Sequence, residues 1–313
     1  MVHIAIIGVG RVGAALAFRL IFEPYIDELT LVDIIPGLAG VVKEDIYHGL
    51  ATYGLDMRIN SYDDCRHVEN ADMIVITAGV ARKPSESRRD LAEKNSKIIY
   101  DIIECLADRN PKAWYVIITN PVDALATLVS KLLGDSKRVI GTGTSLDTTR
   151  FRCAISRSIG VPLSYVEAYT GGEHGEHVVL LWSTVHICGM PLDEYLSSSG
   201  KQIDKKDITN YVKNISSKII SMQGGTMWGP AIVFSEIIKN IILNTGRIMS
   251  VSTLRKFKEI SEPVHVTIPT KVGWSIGPDI WNILDRREQE EIVRAAEAIY
   301  KTYMICLKSL KSP

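Results

Sequence analysis

The stretch HIAIIGVGRVGAALAFRLIF (3–22) constrains the fold more than any other part of the chain. A short apolar run, 3–8, closes on a glycine and is followed at once by residues 11–22 with helical character. A continuous apolar run of that length suits a strand buried on both faces of a parallel sheet. Gly8, Gly10 and Gly13 fall on the spacing G-x-G-x-x-G. Gly8 permits a tight turn, Gly10 lets the backbone approach a pyrophosphate, and Gly13 lets helix and strand pack closely, with the helix N-terminus turned to the phosphates. That spacing alone is a weak signal; its place between a buried strand and a helix is what gives it weight. Asp33 lies twenty positions beyond Gly13, at the end of a second strand, ELTLVD (28–33). A carboxylate there accepts hydrogen bonds from ribose hydroxyls and repels a 2′-phosphate, and the following Ile34 and Ile35 bring no arginine to offset that repulsion. These residues predict NAD rather than NADP, held by Gly8, Val9, Gly10, Arg11, Val12, Gly13 and Asp33.

The same strand-then-helix rhythm continues. Residues 36–54 read as a helix starting after proline, 72–79 as a buried strand, 87–110 as a long helix stopping before Pro111, and 113–120 and 138–141 as further strands. Repeated β-α units predict a doubly wound parallel sheet of the Rossmann type. From about residue 145 the pattern changes. Helical stretches at 146–159, 204–221, 229–244 and 285–311 flank strand-like VVLLWSTVHI and VHVTIPTKVG. The expected class is α/β, with an NAD-binding domain over 1–143 and a closely packed α+β substrate domain over 144–313.

Composition narrows the class of partner. Lys+Arg and Asp+Glu are both 36, so no charge excess draws the chain to nucleic acid or an acidic membrane surface. No apolar run reaches transmembrane length, and no signal-peptide pattern opens the chain. The five cysteines (65, 105, 153, 188 and 306) are scattered, odd in number and without a C-x-x-C pair. That predicts neither a disulfide framework nor a metal site, and fits a reducing cytoplasm.

Six pieces, GVGRVG, LVD, TAGVARKPSESRRDL, TNPVD, SLDTTRFR and GGEHGE, occur in that order. Together they make the chain resemble the NAD-dependent malate/lactate dehydrogenase family over nearly its whole length, on the malate side and without an N-terminal arm. The resemblance implies hydride transfer between nicotinamide and a 2-hydroxy or 2-oxo acid, a place in tricarboxylic acid cycle chemistry, and a homodimer or homotetramer. It implies that His174 is the proton donor and acceptor, since a carbonyl reduced by hydride needs a proton at its oxygen. Asp147 is then the carboxylate that orients the imidazole. Arg150, three residues further on, shares a helical face with it and binds the substrate carboxylate beside the reacting carbon. Asn120 is implied to touch both substrate and cofactor, and Thr226 to line the substrate pocket. Ala78, Gly79, Asn95, Ile118 and Thr119 are implied cofactor contacts. The Asn120–Pro121 bond is open to the cis form, which would re-aim the asparagine.

The segment VARKPSESRR (80–89) holds four cations. In the family a mobile segment here closes over the substrate and brings in an arginine that polarises the carbonyl; Arg88 matches it. Six residues earlier, lactate-type members carry glutamine and malate-type members arginine. This chain has Arg82. A second substrate carboxylate buried without a partner costs several kcal/mol, so Arg82 attracts a dicarboxylate and disfavours the smaller pyruvate. Lys83, Arg89 and Arg152 read as solvated charges. Departures from the family are Ser85 where a glycine is typical, and His177, a rival imidazole three residues past His174 with no evident role. The alternatives are a lactate or broad 2-hydroxy-acid dehydrogenase, an NAD-dependent glycosidase, for which Cys153 and Cys188 lack metal-ligand spacing, and an NAD-binding sensor without catalysis.

Overall fold

The apolar runs of the first half assemble as parallel strands because each is followed by a helix that carries the chain back over the sheet. The structure is a computed structural model and describes residues 1–80 and 88–311. β1 (His3–Ile7), α1 (Arg11–Leu20), β2 (Glu28–Val32), α2 (Leu38–Tyr53) and β3 (Arg58–Tyr62) form one half of a doubly wound unit. β4 (Met73–Ile76), α3 (Arg88–Leu106), β5 (Trp114–Ile117), α4 (Val122–Leu133) and β6 (Val139–Gly141) form the other. The strands pair in the order β3-β2-β1-β4-β5-β6, and every pairing among them is parallel. Strand order reverses between β1 and β4, the switch point at which such sheets bind ligands beyond the carboxyl ends of their strands. Ile4, Ile6, Leu29, Leu31, Ile74, Ile76 and Ile117 are fully buried along this sheet.

The second unit is organised around α5 (Ser145–Ile159) and the long hairpin of β7 (Val166–Gly172) and β8 (Val178–Ile187). A short β9 (Met190–Pro191), α6 (Leu192–Ser199) and α7 (Lys205–Gln223) follow, and then α8 (Trp228–Ile242), of which residues 228–238 belong to the first unit. After them come β10 (Arg247–Met249), β11 (Ser252–Arg255), β12 (Val264–Thr267), β13 (Thr270–Val272), β14 (Ile276–Asp279) and α9 (Arg286–Lys311). β11, β12, β7, β8 and β9 pair antiparallel in that order, and β10, β13 and β14 make a separate three-stranded sheet. Phe151, Ile155, Val166, Ala168, Leu180, Val185 and Ile187 form the core between α5 and the hairpin, with Trp182 set edge-on to Phe151. The compact units are 1–141 with 227–238 and 301–313, and 142–226 with 239–300.

The cysteine expectation is corrected. Cys65, in a single 3-10 turn (Cys65–His67), and Cys105, in the last turn of α3, are joined as a disulfide with Cα atoms 6.4 Å apart. No local spacing announces this pair, because the residues are 40 apart in sequence and meet only when the β3–β4 crossover packs on α3. Cys153, Cys188 and Cys306 are unpaired.

Candidate active site

In the first unit the predicted cofactor residues converge at the carboxyl ends of β1, β2, β4 and β5. A Cβ on Gly8, whose φ is +95°, would overlap the backbone of Ala78, and one on Gly13 would overlap the Gly8 carbonyl and the Thr77 hydroxyl. Both glycines are therefore required by close approach within the loop itself. Gly10 differs: a Cβ there meets nothing within 4 Å, so the loop keeps open space on that side. Gly10 caps α1 without a side-chain hydrogen bond, which leaves the first-turn N–H groups of Arg11, Val12 and Gly13 available to an anion. Asp33 stands at the tip of β2, where its carboxylate accepts from Val9 N at 2.8 Å and Ile35 N at 3.0 Å. These bonds aim an acidic group at the edge of the glycine loop.

Behind this loop the second crossover is tied down from three directions. Thr119 donates to the carbonyl of Ala78 at 2.7 Å. Asn95, on α3, is buried rather than turned to solvent. Its Oδ1 accepts from Val80 N at 2.8 Å and its Nδ2 donates to the carbonyl of Asn120 at 2.7 Å. Gly79 has no room for a Cβ between Thr119 and Asn95, while Ile118 is buried beneath. Asn95 thus braces two neighbouring strand ends. The Asn120–Pro121 bond is cis and Asn120 is exposed.

In the second unit His174, Asp147 and Arg150 are brought together. Asp147 Oδ2 lies 2.7 Å from His174 Nδ1, and its Oδ1 accepts from Arg150 Nη1 at 2.9 Å. The Asp147 side chain is 5% exposed and that of His174 25%. Burial alone raises a carboxyl pKa, but the charges and hydrogen bonds of His174 and Arg150 outweigh it and hold Asp147 below the usual value. An ionised carboxylate only accepts, so Nδ1 carries the hydrogen and Nε2 is the nitrogen that can exchange a proton.

What holds Asp147 is a set of hydroxyls that motif spacing does not reveal. Thr148 shares hydrogen bonds with Thr170 of β7 and with Ser250, Thr170 bonds the carbonyl of Thr144, and Ser145 donates to the carbonyl of Ser250. All five are buried. They pin the first turn of α5 to β7, the strand that leads into the His174 loop. The run TGTSLDTT carried the only local hint of them, an unusual density of Ser and Thr at a helix start.

Other residues fall differently. His177, the rival imidazole, bonds Glu173 at 2.6 Å. Thr226 is half-buried between α7 and α8. Arg89 is exposed and pairs with Glu93 one turn on, as a solvated charge does. Arg152 departs from that expectation: it donates from Nε to the carbonyl of Ala168 at 2.9 Å and lies over the Tyr169 ring, and burial draws its pKa below the usual value. Arg82, Lys83 and Ser85 lie outside the described residues, as does the Arg88 side chain.

Residues 2–141 match the family model for the lactate/malate dehydrogenase NAD binding domain, and residues 144–302 that for the lactate/malate dehydrogenase alpha/beta C-terminal domain. The chain belongs to the lactate/malate dehydrogenase family. It is 38% identical to a malate dehydrogenase of Sulfurisphaera tokodaii, over all of this chain and 98% of that protein. It is 33% identical to an L-lactate dehydrogenase of Acetivibrio thermocellus, over 93% of this chain and 92% of that protein. The structure of a lactate dehydrogenase from a Medee basin deep-sea metagenome library superposes with a TM-score of 0.90 at 29% identity, covering 97% of this chain and 98% of that one. As a lactate/malate dehydrogenase, the chain is an NAD-dependent oxidoreductase of 2-hydroxy acids, and NAD is its cofactor. The glycine loop, with its close approaches at Gly8 and Gly13 and its open side at Gly10, fits that group. Among the described residues, no helix is long and apolar enough to cross a membrane.

Proposed function

We propose that the chain is an NAD-dependent malate dehydrogenase, converting (S)-malate and oxaloacetate reversibly. Residues 1–143 hold NAD, and residues 144–313 carry the acid–base chemistry. Bound NAD supplies the hydride acceptor or donor. His174 takes the hydroxyl proton at Nε2 during oxidation and returns it to the carbonyl oxygen during reduction. Asp147 keeps the ring in the tautomer that allows this and stabilises the imidazolium. Arg150 grips the carboxylate next to the reacting carbon through its planar fork. Arg88 polarises the carbonyl, Asn120 steadies it, and Thr226 borders the substrate's side group. The observation that carries the acid–base reading is the sharing of one buried carboxylate, Asp147, between His174 and Arg150.

The choice of malate rests on Arg82. A guanidinium there matches the second carboxylate of a dicarboxylate, and the malate dehydrogenases of Sulfurisphaera tokodaii and Sulfolobus acidocaldarius, at 38% and 37% identity, support it. The lactate dehydrogenases at 33% favour the runner-up, a lactate-type enzyme on the same scaffold. We propose that it works as a homodimer or homotetramer; the Cys65–Cys105 bond removes the cysteine argument for a reducing cytoplasm. Initial rates with oxaloacetate and pyruvate, each with NADH and NADPH, separate the readings. The expected result is a strong preference for oxaloacetate with NADH. Arg82→Gln should narrow that preference by roughly 10²-fold or more, as expected when one partner of a desolvated charge pair is lost. A wild-type preference for pyruvate sinks the malate reading, and equal losses on both acids in the variant remove Arg82 from specificity.

A further inference from the structure

The loop that carries His174 contains a second imidazole–carboxylate pair. β7 and β8 close in register at Gly172 and Val178, so residues 173–177 form a five-residue connection. Within it Glu173 N donates to the carbonyl of His177, and Glu173 Oε2 lies 2.6 Å from His177 Nδ1. A Cβ on Gly172, whose φ is +81°, would overlap that same His177 carbonyl, so the loop is drawn tight at this point. The Glu173 side chain is 11% exposed and that of His177 43%. A mostly buried carboxylate is thus bonded to a ring that reaches solvent, across the base of the loop on which His174 is the second residue.

We infer that His177 is a positioning residue: its hydrogen bond to Glu173 anchors that carboxylate, closes the loop that presents His174, and draws off part of the Glu173 charge one residue from the reacting imidazole. Glu173 and His174 are consecutive, with Cα atoms about 3.8 Å apart, so a shift or a charge change at Glu173 is passed to the adjoining His174 through the short loop. Other charges belong to the same neighbourhood. Asp147 and Arg150 enter from α5, and Glu176 lies within the loop. α9 packs Ile292 against Gly171 and Ala295 against Gly172, with Glu291 and Arg294 flanking that contact in sequence. Asp147 already favours an imidazolium at His174. A less compensated Glu173 favours it further, and the proton is then held too firmly for His174 to serve as a base near neutral pH.

This inference rests on the role of His174 proposed above, and its test has its own readout. In 2-hydroxy-acid oxidation, kcat/KM falls on the acid side as His174 protonates. His177→Ala takes one partner from Glu173, and the acid limb should rise by about 0.5–1 pH unit. His177→Gln keeps an N–H donor for Glu173 and should move the limb less. Glu173→Gln combined with His177→Ala removes the carboxylate and should abolish the rise. Titration of the His174 ring by NMR should report the same order in the intact protein whichever 2-hydroxy acid is used. A fall in kcat with the limb and the ring titration unmoved, or an unchanged rise in the Glu173→Gln background, overturns the inference. A wild type inactive on malate and lactate would instead sink the functional proposal, and the ring titration would still decide the role of His177.

Discussion

Asp147 serves an imidazole and a guanidinium with one carboxylate, and that makes it the most informative single residue to change. Asp147→Asn keeps the shape of the group but removes the charge, and an amide nitrogen facing His174 Nδ1 favours the wrong tautomer. Turnover should fall by roughly 10³-fold or more, as when a catalytic histidine loses its orienting carboxylate. The acid limb of malate oxidation should move to lower pH, because an imidazolium without its carboxylate releases its proton more readily. His174→Asn should lose most turnover while keeping NAD affinity, since the loop proposed to hold NAD, Gly8–Gly13 with Asp33 beside it, lies in the first unit and His174 in the second. Nucleotide binding followed by fluorescence alongside steady-state rates checks both variants. An active His174→Asn enzyme would remove His174 from the chemistry. The three principal residues were legible because SLDTTR and GGEHGE carry them in recognisable surroundings. The hydroxyls of Thr170 and Ser250 were not, because they reach α5 from strands far away in sequence.

At the scale of elements, a residue pattern reports what an element buries rather than what it meets. The runs at 3–8, 28–33 and 72–79 read as strands because both faces are covered. β3, RINSY, escaped notice because it is an edge strand whose burial is confined mainly to Ile59. α4 was overlooked although its apolar face is pronounced, and β7 because its glycines and tyrosine lack a continuous apolar run. The return of 227–238 and 301–313 to the first unit is equally invisible to periodicity. The Cys65–Cys105 bond belongs here, since it staples the β3–β4 crossover to α3. A cross-link closing a loop of 40 residues should stabilise by up to roughly 4 kcal/mol through the unfolded chain. Cys65→Ser and Cys105→Ser should each lower the Tm, and a thiol reductant should bring the wild type down to the same value. Five titratable thiols in the unfolded, unreduced protein, with a Tm indifferent to reductant, would show that the bond does not form.

The whole molecule carries no net charge near neutrality, so in the first pH units below 7, before its carboxylates protonate, buried groups weigh most in its response to acid. His265 on β12 is fully buried, with Nδ1 3.1 Å from the carbonyl of Ser252. Burial pushes its pKa down from 6.5 to about 4, against the smaller opposite pull of the Ser252 carbonyl. Between those values the unfolded chain binds a proton that the folded protein refuses. The stability associated with neutral His265 is therefore complete above pH 6.5 and drains as pH falls toward 4, by at most about 3 kcal/mol. Asp147, whose folded pKa is lowered, adds its own loss only once pH falls below the ordinary carboxylate value of 3.8. Acid unfolding should thus show an early arm below pH 6.5 and a later one below about 4. His265→Asn should flatten the first arm and leave the second, with some stability lost at pH 7 from the smaller side chain. Tm measured from pH 7.5 to 3 on both proteins checks this, and an early arm of equal slope in the variant would assign the effect to another group.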